Sequence, residues 1–180
     1  MIDWAAIVMG SRWLALAAML HLACDRPCGS TGTPLIFDLT SYESSERVKA
    51  QLRPPLRWSA EAKNGGLPNA TPRFDFVTIE VGEGEHLGQR GPTQITFFND
   101  RLNSVVFSPP DPARYFDAIS RLPGASVVEQ EGFTMVRFAP HTAAWRVGAS
   151  ANPPSVEWYD ECLREELVSL IEHHSRGPGK

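Results

Sequence analysis

The chain has 180 residues, 42% hydrophobic, 21% charged and 9% aromatic, with 17 basic and 21 acidic side chains for a net charge of -4. That is enough apolar material for one domain with a real core, or for a small pair of fused repeats. A mildly acidic balance without a basic stripe argues against nucleic acid as a partner, because non-specific binding depends on neutralising phosphates.

Residues 13–23, WLALAAMLHLA, are an apolar run of eleven that follows Arg12. A bilayer span needs about 20 such residues, so the run is too short to cross but suits the apolar region of an export signal. Asp3 is out of place ahead of it, and a start at Met9 gives a cleaner leader. The run ends in Ala23-Cys24, and this junction resembles the cleavage site of bacterial lipoproteins, although His21 and Leu22 depart from that family's usual residues. The resemblance implies a signal peptide over 1–23, lipidation of Cys24, and a membrane as partner through the anchor. The domain would then lie in the periplasm or cell envelope. Two other readings of the same residues stand beside it: conventional cleavage followed by secretion, and a buried apolar helix.

Residues 24–34, CDRPCGSTGTP, have the composition of a flexible tether. With Cys24 lipidated, Cys28 and Cys162 remain as a pair, and an oxidising compartment would allow a disulfide between them. Closing so long a loop restricts the unfolded chain by about 4 to 5 kcal/mol in the entropic model. The alternative is two free thiols. Zinc is poorly supported, since neither Cys24 nor Cys28 has a His or second Cys pair at ligand spacing.

The folded domain is expected over 35–174, with a disordered tail at 175–180. Residues 35–39 read as a short strand. Thr40 and Glu43 fit a capping box for a first helix that ends before Pro54-Pro55, with Val48 and Leu52 on its buried side. Residues 57–72 read as loop, 74–81 as a strand, and 82–92 as a long polar loop. The clearest hairpin is 95–107, ITFFNDRLNSVVF. For Ile95 and Phe97 to share a face with Val105 and Phe107, it needs an odd loop or a bulge around 99–102 rather than a two-residue turn. Asp111-Pro112 opens a second helix with Tyr115, Phe116, Ile119 and Leu122 at helical spacing. A hairpin through Glu131-Gly132 and two short strands around 152–154 follow. Asp160 caps a last helix striped by Leu163, Leu167, Leu170 and Ile171, with His173 and His174 at its end.

This order predicts an α+β fold: a mainly antiparallel sheet covered on one face by helices, with a hint of a duplicated helix-plus-β-meander unit. The helix-then-meander order of the first half, together with the leader, resembles small envelope lipoproteins of the SmpA type.

Reactive chemistry is sparse. Gly82-Glu83-Gly84 lacks the third glycine of a dinucleotide loop, and no nucleophile elbow or paired-histidine zinc motif occurs. Glu80, Glu83, Glu85 and His86 are the one cluster that could hold a divalent ion or serve acid–base chemistry, with a solvated acidic loop as the plainer reading. Ser108, His141 and Asp160 could be combined into a triad, but without geometry that set has no force. Trp145, Trp158 and Tyr159 could line a groove, since 158 and 159 point to opposite sides of a strand. The expectation is an exported, lipid-anchored, non-enzymatic binding or scaffold protein that needs no cofactor and takes an envelope protein as partner. The alternative is an inhibitor or immunity-type protein, and less favoured still is an envelope hydrolase using the Glu/His cluster.

Overall fold

Short β-branched and aromatic runs separated by turn residues build a sheet in the computed structural model, which describes residues 31–59, 62–67, 71–130, 133–147 and 154–175. The leader, Cys24, Cys28, the Glu131-Gly132 turn, residues 152–153 and the tail from 176 lie outside the described residues. Among the described residues the order is α1 (Ser45–Gln51), β1 (Ala62–Leu67), β2 (Phe74–His86), β3 (Gln89–Phe98), β4 (Arg101–Phe107), α2 (Pro112–Ser120), β5 (Ser126–Gln130), β6 (Phe133–Phe138), β7 (Thr142–Val147), β8 (Ser155–Asp160) and α3 (Glu161–Ser175). The eight strands form one antiparallel sheet ordered β1-β2-β3-β4-β8-β7-β6-β5. The α+β class and the antiparallel sheet are as the sequence predicts.

The topology also repeats. A helix followed by a four-strand meander occurs twice, and the last strands of the two meanders, β4 and β8, pair antiparallel through Ser104↔Tyr159 to Phe107↔Val156. Antiparallel pairing of equivalent strands is what a two-fold relation between halves requires. Val48 of α1 and Tyr115, Phe116 and Ile119 of α2 then fall in the same core, with Ile79, Val81, Ile95, Phe97, Leu102, Val105, Phe107, Val136 and Trp158. Among the described residues the third helix has no counterpart. Its Leu163 and Leu167 pack on Phe98 of the opposite face, with Phe74, Phe76 and Tyr42 around them. The helices are therefore divided between the two faces, rather than all gathered on one.

The central hairpin carries both a two-residue turn and a bulge. Asn99 and Asp100 have φ of 50° and 60°, and Phe98↔Arg101 and Phe97↔Leu102 pair directly across them. Asn103 is then skipped, so that Thr96 faces Ser104 and Ile95 faces Val105. The expected exclusion of a two-residue turn is corrected, because the bulge alone restores the shared apolar face.

Four further expectations change. Residues 35–39 are not a strand: only Pro34 bridges Thr40, around a turn with positive φ at Phe37 and Asp38. The cap of α1 is Ser44, whose Oγ accepts from Arg47 N at 3.4 Å, and not Thr40. Part of the supposed loop at 57–72 is β1, whose six residues AKNGGL pair with β2 from Leu67↔Phe74 to Ala62↔Ile79. Its composition hides it, since an edge strand borrows its ladder from a neighbour and tolerates glycine. The fourth change, in 82–92, creates the candidate site.

Candidate functional site

Residues 82–92 form no loop; they extend the β2–β3 hairpin into an arm. Leu87 and Gly88, both at positive φ (50° and 71°), make the two-residue turn that such a hairpin favours. The pairs Gly82↔Thr93 to His86↔Gln89 run past the last β3–β4 rung, Thr93↔Phe107. The glycines that suggest a loop instead allow close approach. A Cβ on Gly91 would lie 2.0 Å from the Ser108 carbonyl oxygen, and one on Gly84 would lie 2.4 Å from the Phe37 ring.

A bulge between Glu80 and Gly82 decides which side chains of the arm point inward. Before it the odd-numbered Ile79 and Val81 are buried; after it the even-numbered Gly84 and His86 face inward and Glu83 and Glu85 face solvent. With unbroken alternation the acids would face the core. The metal candidates Glu83, Glu85 and His86 are thus separated to opposite sides of one strand. Glu83 pairs with Arg90 at 2.9 Å. Among the described residues no three His, Cys, Asp or Glu side chains are grouped to hold a metal ion.

The half-buried His86 meets residues from three other elements. Its Nδ1 lies 2.6 Å from the hydroxyl of Tyr115 on α2. Trp158 Nε1 on β8 donates to the same hydroxyl at 3.2 Å. Ring centroids of Phe37, Tyr115 and Trp158 stand 6.1, 5.6 and 5.8 Å from the imidazole, all edge-on. Since an indole N–H can only donate, the Tyr115 hydroxyl accepts from Trp158 and has its own proton left for His86. The imidazole is then the neutral tautomer with its hydrogen on Nε2. Burial lowers the His86 pKa below its ordinary value. Burial likewise raises the Tyr115 hydroxyl well above its own, with the Trp158 hydrogen bond opposing.

Ser108, His141 and Asp160 do not assemble. Ser108 follows β4 at the pole where Phe107 pairs with Val156, whereas Asp160 ends β8 at the other pole. Asp160 is buried and fully used. Its Oδ2 accepts from Ser41 Oγ at 2.6 Å and its Oδ1 from Leu163 N at 3.0 Å, the cap expected for α3. Ser41 Oγ in turn accepts from Thr33 N at 2.8 Å, and Thr33 Oγ1 meets Thr142 Oγ1 at 2.7 Å. This buried clasp fastens residues 33–41 to the ends of β7 and β8, so Thr33 and Pro34, tether by composition, are part of the fold. Cys162 lies buried two residues after Asp160.

Trp145, Trp158 and Tyr159 do not line one groove. Trp158 is in the core beside His86, while Trp145, paired with Glu157, lies on the other face with Tyr159. There Trp145 Nε1 donates to Glu157 at 2.7 Å, and Arg164 pairs with Glu157 and lies over the Tyr159 ring. Tyr115 and Phe37 are the partners that sequence reasoning missed. Helical spacing marks Tyr115 as core, but no local pattern says what its hydroxyl meets. Comparison with protein-family models, with curated proteins and with solved structures gives no match.

Proposed function

We propose that the protein is exported, anchored through a lipid on Cys24, and acts in the cell envelope as a non-enzymatic binding or scaffold domain. The leader supports export and the Ala23-Cys24 junction supports the anchor. The observation that carries the binding reading is the polarity of the fold. The chain enters at the pole of Thr142 and Asp160, where Thr33 is clasped. The Leu87-Gly88 turn and the outward Glu83 and Glu85 lie at the opposite pole, since strand pairing runs from Ser104↔Tyr159 through Phe107↔Val156 to the arm. A tethered domain would therefore present the arm away from its anchor.

Replacing Cys24 with Ser and fractionating cells tests the anchor. Loss of processing and of membrane association is the expected result, and an equally membrane-bound, unprocessed variant overturns it. Partner capture from solubilised envelope, with Glu83→Lys and Glu85→Lys as controls, tests the binding role. Capture that is lost in those variants and weakened by salt favours the inhibitor or immunity-type reading, in which the acids meet a basic surface.

We also propose a Cys28–Cys162 disulfide. Thr33 is hydrogen-bonded to Thr142, which pairs with Asp160, so five Cα-to-Cα steps separate Cys28 from a point beside Cys162. Those five can span about 17 Å. Mass mapping under non-reducing conditions should recover the linked peptides; finding both thiols free sinks the idea.

A further inference from the structure

We propose that His86, Tyr115 and Trp158 form a pH-sensitive latch that holds the β2–β3 arm against α2 while the imidazole is neutral and releases it on protonation. The reasoning is a count of protons. The Tyr115 oxygen carries one hydrogen and, at 3.2 Å, receives one from Trp158 Nε1, a group that cannot accept. The 2.6 Å contact to His86 Nδ1 then requires a lone pair on that nitrogen. A proton added there leaves two donors aimed at one oxygen. The hydroxyl hydrogen must then turn away, within a buried site where the Phe107 ring stands 5.1 Å from that of Tyr115 and Trp158 Nε1 already points at the oxygen. A buried donor left without an acceptor favours opening of the local contact.

Among the described residues no charge nearby offsets the new cation. On the arm, Glu85 and Arg90 face the far side of the sheet, and Glu83 is engaged by Arg90. On α2, Asp111 Oδ1 accepts from Arg114 N, and Arg114 and Asp117 are exposed. In the loop, Asp38 is exposed beside Phe37, and on β8 Glu157 lies on the other face with Trp145 and Arg164. Burial is accordingly the cause of the lowered His86 pKa.

The arm is attached to the rest of the molecule at few points. Beyond Thr93↔Phe107 it leaves the main ladder. Apart from His86 it is held by the Gln89 side chain accepting from Asp111 N at 3.1 Å, by Ser108 N donating to Pro92 O at 2.9 Å, and by packing of Gly84 on Phe37. Because the folded pKa lies below the unfolded value of 6.5, the latch is complete above that pH and is lost as pH falls through the folded pKa.

Amide hydrogen exchange at a series of pH values, corrected for intrinsic rates, tests the proposal. Protection of 84–91 should fall by up to roughly tenfold per pH unit below about pH 6.5, while 95–107 keeps its protection. In His86→Gln, whose carboxamide oxygen can take the Tyr115 proton without titrating, this pH dependence should vanish. An unchanged pH dependence in His86→Gln overturns the latch. So does an NMR titration of the unaltered protein in which His86 protonates at or above its ordinary pKa without any shift at Tyr115 or Trp158. That second measurement holds even if the variant folds poorly.

Discussion

Asn99 shows how much one turn residue can carry. Besides its positive φ, its N–H donates to Asp75 O at 2.9 Å, its Oδ1 accepts from Asp75 N at 2.9 Å, and its Nδ2 donates to Arg73 O at 3.0 Å. The side chain thus continues the β2–β3 ladder after the strand has turned. Asn99→Ala loses two of these bonds and keeps the left-handed backbone, so urea unfolding should show a loss of about 2 kcal/mol. Glu161 poses an electrostatic question at the same scale. Burial raises its carboxyl pKa and Arg137, paired at 2.6 Å, opposes the rise. Arg137→Met leaves that carboxylate buried without a counter-ion and should cost about 3 kcal/mol near neutral pH. A raised carboxyl pKa favours the folded state below the usual carboxylate range and disfavours it as pH rises through the folded value. The deficit of Arg137→Met should therefore shrink as pH is lowered to about 4, in unfolding curves measured across pH.

Among the elements, α3 is the one whose attachment can be divided into separate contributions. Leu163 is wholly buried against Phe98, and Arg101 joins Glu166 through two bonds of 2.8 and 2.6 Å. The ion pair is partly exposed, with 28% and 43% of the two side chains accessible, so solvent screens it. Leu163→Ala should cost about 2 to 5 kcal/mol and Arg101→Ala about 1 kcal/mol or less. Comparable losses in denaturant titrations would show that α3 is held by charge rather than by packing. The two bulges matter as much as any helix, because each inserts one residue and so reverses which side chains face inward. The one at Asn103 keeps Leu102 and Val105 in the core with Phe97 and Ile95. The one after Glu80 turns His86 inward and the acids outward.

Across the whole molecule, two meanders share a seam of four residue pairs between β4 and β8, and the core beneath α1 and α2 crosses that seam. The sheet remains open, with β1 and β5 at its edges. The β1 edge is six residues long, and short edges limit further pairing, while β5 exposes Val127. The His86 cluster draws on the arm, α2 and β8, so it exists only when both halves are joined.

Local pattern was sufficient for much of this. Local pattern determined the hairpin of β3 and β4 from Ile95 onward, with β6 and β8; Asp111-Pro112 and Asp160 determined the starts of α2 and α3; and the need for Ile95 to face Val105 determined that the central hairpin must be irregular. Those features depend on neighbours in the chain, and their physics is the period of a strand or helix and the chemistry of a cap. Tertiary structure alone decided the rest. β1 exists because β2 offers it a ladder, the glycines of the arm exist for contacts with Phe37 and Ser108, and α3 takes the other face because Phe98 points there to receive it. His86 looked like one member of an acidic cluster because adjacent numbers suggest adjacent side chains. A single inserted residue after Glu80 made it the partner of Tyr115, 29 positions away, since inward direction along a strand is a count of parity that only the register can supply.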